Sequence, residues 1–345
     1  TLAGSDNMLT GSFIVHSNLN GAGLVIGDRN VLERSSVTAP NPVAFNAGSS
    51  SSTISRSYLQ SYFNPAVYLR GSFHTVDRST LANPSGFSDA LIMLNVTHST
   101  VSMSILYAQF GIALGMADSH RNLIADSKLV RRDTGYTMTL TRSSDNAIVR
   151  TTVENPFGKG ILVTGPGSGT AIVSSTVTAL LEALELNSAV GHSIIGSHIY
   201  SANATALAID DSSTGTVISQ SRLVSQAAAG YALYLTTATA TLVSQSLVEN
   251  TSGYAAFFAA KADGNTIDLS TVTSRVSGFS ALYLDNASTN TFTRSYFGNA
   301  AGNGVTFGAG ASSNTLSRST VASSGAAARA LSLFMALDSY VYDSW

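Results

Sequence analysis

Ile54-Ser55-Arg56-Ser57-Tyr58-Leu59 places a serine between two apolar residues. The same frame returns as Leu9-Thr10-Gly11-Ser12-Phe13-Ile14 and as Leu316-Ser317-Arg318-Ser319-Thr320-Val321. The serine recurs as Ser12, Ser35, Ser57, Ser79, Ser104, Ser127, Ser175, Ser197, Ser221, Ser246, Ser270, Ser295, Ser319 and Ser344, with Thr151 as the single substitution. Successive rungs stand 22 to 25 residues apart. A period in that range, held along a whole chain, marks a solenoid in which each repeat buries its apolar face only against its neighbours.

Downstream of each serine lies a second signal, apolar-x-apolar, as in Val67-Tyr68-Leu69, Ile112-Ala113-Leu114, Leu184-Glu185-Leu186 and Leu282-Tyr283-Leu284, with early copies at Leu24-Val25-Ile26 and Val43-Ala44-Phe45. A period of two is strand geometry, with the flanking residues inward and the middle one outward. Five residues before each ladder serine stands another polar position, filled by Asn30, His74, Asn122, Asn146, His192, Asn265, Asn290 or Asn314, among others. Side chains stacked at strand spacing hydrogen-bond along such columns, and a serine at a bend bonds neighbouring backbone. Both columns are therefore expected inside, as structure. Ala179–Leu186 looks helical in isolation, yet its leucines fall on strand positions of the repeat.

Composition narrows the functional classes. Of 345 residues 11% are charged and the formal net charge is −2. That leaves no basic field for nucleic acid or an anionic membrane. No apolar run has the length needed to insert in a bilayer. With no cysteine, thiolate metal sites and disulfides are excluded. The unbroken repeat predicts one domain over 1–345, either part of a longer chain or a member of an end-to-end assembly.

The frame Asn30-Val31-Leu32-Glu33-Arg34-Ser35-Ser36-Val37, repeated as Asn146–Val153, together with Gly111-Ile112-Ala113-Leu114 and Gly160-Ile161-Leu162-Val163, resembles the repeat of right-handed parallel β-helices of the pectate-lyase-like superfamily. The resemblance implies an all-β, right-handed, single-stranded parallel β-helix of about 14 coils with ~24 residues each. Lyases, hydrolases, epimerases, tailspikes, adhesins and stalks share that fold, so function must be argued from sites.

Three groups of side chains are candidates. Glu182, Glu185, Asp210 and Asp211 bring carboxylates from neighbouring coils together, as suits a paired-carboxylate hydrolase or lyase, or a hard cation such as Ca2+. Polygalacturonase-like hydrolases would place a Gly-His-Gly after an Asp-Asp; here Gly191-His192-Ser193 precedes Asp210-Asp211. Arg34, Arg56 and Arg78 stack at one corner as an anion stripe, with Glu33 and Asp77 beside them. Tyr234, Phe257 and Tyr283, with Tyr68 earlier, are outward residues of their strands and form a surface for glycan or protein. A second aromatic set, Tyr136, Tyr231, Tyr254 and Phe279, is expected to stack internally. His16, His98, His120 and His198 lack metal-ligand spacing.

Uniform coils and low charge favour a non-catalytic extracellular or cell-surface protein: a structural rod, stalk, filament component or adhesin. The alternatives are a polysaccharide lyase or hydrolase at Glu185/Asp210 and a glycan-binding module at Tyr234/Phe257/Tyr283. No cofactor other than Ca2+ is called for. The expected partners are further copies or neighbouring domains, and polysaccharide.

Overall fold

The computed structural model describes residues 4–15, 25–26, 28–39, 43–45 and 50–345, with backbone alone at 25–26 and 43–45. The readings of His16 and Leu24 fall outside them. By contact density the chain divides into two compact units, Thr1–Ala171 and Ile172–Trp345. Among the described residues no helix is long and apolar enough to cross a membrane.

Each coil contributes three short strands. One repeat reads Thr75–Asp77, a bend, Thr80–Asn83, a turn, then Leu91–Thr97. Strands of successive coils pair in parallel, Thr75 beside Thr100, Thr80 beside Ile105 and Leu91 beside Leu114. Each unit therefore has three parallel sheets, here called first, second and third in chain order, with about seven strands apiece. The coil count expected from the ladder agrees with about 13 turns of ~24 residues.

The ladder serine sits at the bend between first and second sheets. In one unit the Ser57 N–H donates to Ser79 Oγ and the Ser79 N–H to Ser104 Oγ, each at 3.1 Å. In the other the same bond links Ser197 to Ser221 and Ser221 to Ser246, again at 3.1 Å. Each hydroxyl also donates two residues back, as Ser79 Oγ does to the Asp77 carbonyl at 2.8 Å. Donor and acceptor are thus both satisfied in a buried position. At the threonine rung the incoming bond from Ser127 lengthens to 3.5 Å. The residue ahead of the serine takes left-handed backbone: φ is 48°, 49° and 46° at Arg34, Arg56 and Arg78. Such a conformation costs roughly 1–2 kcal/mol for a side-chain-bearing residue. The bonds at the bend offset it.

The second polar column is internal as well. Asn265 N–H donates to Asn290 Oδ1 at 2.8 Å, and Asn290 N–H to Asn314 Oδ1 at 2.9 Å. His74 and His192 are buried members of it. A further column lies where the third sheet turns back to the first: Val96 N–H donates to Ser119 Oγ at 3.0 Å and Ser119 N–H to Ser143 Oγ at 3.1 Å.

Inward residues of all three sheets form the core. In the second unit Phe292 of the first sheet meets Phe297 of the second and Phe258 and Phe307 of the third, at centroid distances of 5.8 to 6.1 Å. All four are fully buried. Leu184–Asn187 is strand, as the register requires.

Candidate functional site

The outward column of the third sheet in the second unit runs in register through Glu185, Ala208, Tyr234, Phe257, Tyr283 and Thr306. Three consecutive coils thus present a ring. Tyr234 and Phe257 stand 5.9 Å apart, and Phe257 and Tyr283 stack at 5.1 Å. All three are half-buried.

The second aromatic set is not internal. Tyr231, Tyr254 and Phe279 share this outer face and are also half-buried. The strands bury Ala232 with Leu233, Ala255 with Ala256, and Ala281 with Leu282 in direct succession. Strict alternation therefore fails at the corner: Tyr231 and Tyr254 open their strands half-buried, like the residue beyond the buried pair, and Phe279 stands just before a strand that opens on buried Ser280. Tyr231 stacks on Tyr234 at 4.9 Å, Tyr254 lies 5.3 Å from both Phe257 and Tyr283, and Phe279 meets Tyr254 edge-on at 4.9 Å. Six rings make one continuous apolar surface. A recess of about 400 Å³, lined in part by Ser277, Phe279, Gly302 and Asn303, adjoins its far end.

Two asparagines that sequence reading passed over hold this surface in place. Asn250 is fully buried at the end of its second-sheet strand. Its Nδ2 donates to the carbonyls of Ala227, Gly230 and Tyr254 at 3.2, 2.8 and 3.0 Å, while Oδ1 accepts from Ser252 and Gly253 N–H. Asn299 repeats the arrangement two coils on, donating to the Val276 and Phe279 carbonyls. Each pins the turn that delivers a ring to the sheet. The turn is tight: a Cβ on Gly253 would come within 2.9 Å of the Ala227 and Gly230 oxygens. The legible signal was a polar residue four places after the ladder serine, as in Ser246/Asn250 and Ser295/Asn299.

Carboxylates flank the rings. Asp210 pairs with Asn187 across the strands, one coil before Tyr234. With its amide nitrogen turned toward Asp210, Asn187 donates to Oδ1 at 2.6 Å. Burial, then the charges of Asp211 and Glu185, push the Asp210 carboxyl up to about 6. Glu182, the fourth expected acid, lies on the turn before Leu184. At the other side Asp285 ends the strand that carries Tyr283. Burial raises the Tyr254 and Tyr283 hydroxyls, and the neighbouring Asp285 charge raises both further. Among the described residues no three His, Cys, Asp or Glu side chains gather to hold a metal ion, so the acids give no support to a Ca2+ site.

Residues 182–335 match the family model described as a right handed beta helix region. The chain is a right-handed parallel β-helix. Among similar solved structures is the A-module of the Azotobacter vinelandii mannuronan C-5 epimerase AlgE4, 9% identical, with 99% of this chain and 91% of that one covered and a TM-score of 0.61. A double mutant of the periplasmic alginate epimerase AlgG is 9% identical over 89% of this chain and 78% of its own, TM-score 0.59. The Dettilon tailspike protein is 10% identical over 87% of this chain and 62% of its own, TM-score 0.57. No curated protein matches the sequence. At such identities the likeness is one of fold.

The other candidates of the β-helix lie apart from the rings in kind. Arg34 and Arg56 lie 3.5 and 3.6 Å from Glu33, and Arg78 lies 3.4 Å from Asp77, so the expected anion stripe is already occupied by its own acids. Tyr68 belongs to the first unit, outward beside Ile92, with the Arg70 guanidinium over its ring and bonded to its hydroxyl at 2.9 Å. Tyr136, also of the first unit and half-buried, carries Lys159 over its ring. His98 stacks on Phe73, His120 Nδ1 accepts from Ser144 N–H, and His198 lies 6.4 Å from Tyr200.

Proposed function

We propose that this β-helix is a non-catalytic, extracellular surface protein that holds glycan along the third sheet of its second unit. The observation that carries the reading is the run of six half-buried rings in contact, stacked, tilted or edge-on, across three coils. Tyrosine and phenylalanine faces bind sugar rings through their apolar C–H surfaces, and tyrosine hydroxyls add hydrogen bonds at the edge. Rings placed one coil apart, at the ~4.8 Å strand spacing, match the repeat of an extended sugar chain better than a compact protein knob. An apolar surface of this kind on a folded domain marks an interface.

The remaining coils act as scaffold. Their serine hydroxyls and asparagine amides bond along internal columns. Glycan capture by the full chain tests the reading: an array of neutral and charged oligosaccharides, followed by titration calorimetry on the best binders with the Tyr234→Ala, Phe257→Ala and Tyr283→Ala variants. Retention that falls with these substitutions supports it. An array on which no glycan is retained sinks it.

An acid–base reading is favoured by a single feature, the Asp210 carboxyl at about 6 beside Glu185. That carboxyl holds its proton into the range where a general acid operates. Release of new reducing ends from a bound oligosaccharide, abolished by Asp210→Asn, would replace binding by hydrolysis.

A further inference from the structure

We infer that the glycan held on the ring face is cationic: a chain of amino sugars carrying free ammonium groups, and not a polyuronate. The inference rests on the glycan-binding reading above and adds the charge of the ligand to it.

Every formal charge carried by the third-sheet strands and their closing corners, from Glu185 to Asp285, is negative except one. Glu185 and Asp210 lie at the near side of the rings, Asp211 follows at the corner, and Asp285 closes the Tyr283 strand. Lys261, exposed at the corner after the Phe257 strand, is the single base. The other arginines of these coils are spent elsewhere. Arg222 and Arg275 bracket Glu249 on the second sheet at 3.4 and 2.6 Å, and Arg294 pairs with Asp268 on the first.

Two independent kinds of attraction therefore select the same ligand. Carboxylates at the two ends of the track, Asp210 and Asp285 in one strand-end column beside it, favour an ammonium and repel a uronate. The rings do so too, because the negative face of an aromatic quadrupole attracts a cation centred over it. Burial raises the Asp210 carboxyl first, and the like charges of Asp211 and Glu185 raise it further, so negative charge is gathered at this end of the rings. A cation laid between them relieves that repulsion. Placement matters as well: Asp210 lies one coil before the first ring and Asp285 on the coil of the last, so a sugar chain lying over the rings reaches an acid at each end.

Calorimetric titration of the full chain with three oligosaccharides of equal length separates the possibilities: one of 2-amino-2-deoxyhexose, its N-acetylated neutral counterpart, and one of hexuronate. The amino oligosaccharide is expected to bind about tenfold or more tighter than the acetylated one, the scale of one to two ion pairs plus a cation–π contact. Added salt should erode that advantage. The hexuronate should not bind. Asp210→Asn with Asp285→Asn should remove the advantage and leave affinity for the acetylated chain intact, which also certifies the variant as folded. Equal affinity for amino and acetylated chains, or tightest binding of the hexuronate, overturns the inference while leaving the glycan face standing. Failure of all three, together with an empty array, removes both.

Discussion

Phe257 and Tyr283 lie one coil apart with ring planes 19° from parallel and centroids 5.1 Å apart. Both rings are half-buried on the outward column of the sheet. A pair so arranged in a core would be unremarked. On an outward column it sets the surface chemistry of the sheet. Replacing Phe257 by alanine should weaken glycan binding by roughly 3- to 10-fold, the value of one stacked pair. Stability in urea should fall by about 1 kcal/mol, because Phe257 also packs on Tyr231, Tyr234, Tyr254 and Tyr283. Titration beside an unfolding curve checks both halves of the statement.

The Asn250 node couples stability to the site. Asn250→Ala leaves the Ala227, Gly230 and Tyr254 carbonyls without their shared donor in a buried position. The cost should be about 2–3 kcal/mol in denaturant unfolding. Because the same bonds fix the backbone at Tyr254, glycan affinity should fall as well, even in conditions where the variant remains fully folded. A variant as stable as the wild type would show that water replaces the amide.

Asp210 gives the second unit a pH dependence of definite sign. Its folded carboxyl, at about 6, stands above the ordinary value of 3.8. The folded state therefore binds this proton more tightly than the unfolded chain does. The stabilisation is fully present below the ordinary value and is lost as pH rises through about 6. Asp210→Asn should remove that dependence. At neutral pH it should raise stability by about 1 kcal/mol, allowing for solvent screening of a half-exposed group. Unfolding midpoints of wild type and variant, compared at acid and neutral pH, measure it. A larger gain at acid than at neutral pH would contradict the assignment.

At the core, Phe292 touches ring neighbours from both other sheets. Phe292→Ala should cost about 3–5 kcal/mol, since surrounding coils locked in register cannot collapse into the space. On the ladder, Ser221→Ala removes a hydroxyl that accepts from Ser197 N–H and donates to the Ser219 carbonyl. The expected loss is about 1–3 kcal/mol, because a buried donor is left without a partner. Denaturant unfolding of the two variants ranks them.

The serine and asparagine columns were legible because each repeats one residue type at one offset, and the physics behind them is local to a bend. The outward triplet Tyr234, Phe257 and Tyr283 was legible for the same reason, as the middle residue of apolar-x-apolar. Tyr231, Tyr254 and Phe279 were misread as internal. Alternation predicts facing only while a strand runs straight, and two consecutive buried residues at a corner reset the count. Ala232-Leu233 and Ala255-Ala256 give no warning of this, since small apolar residues suit either face. Asn250 and Asn299 escaped notice because asparagine is also an ordinary turn residue. Only the bonds they gather from the preceding coil separate the two roles. The corner arginines ahead of the serines were visible as charges; their left-handed backbone was signalled only by the glycines that hold the same place ahead of Ser12 and Ser197, Gly11 and Gly196.

The direction of the serine ladder has a bearing on how such a protein changes over generations. Each hydroxyl takes its bond from the coil before and gives its own within its coil, as Ser221 does between Ser197 and Ser219. A whole coil spliced in would meet a matching acceptor on one side and a matching donor on the other, and every later rung would keep its phase. A half-coil would put all subsequent serines on the wrong wall. Outside the turns, insertions and deletions in this chain are therefore quantised, and duplication of one repeat is the smallest step by which it can grow.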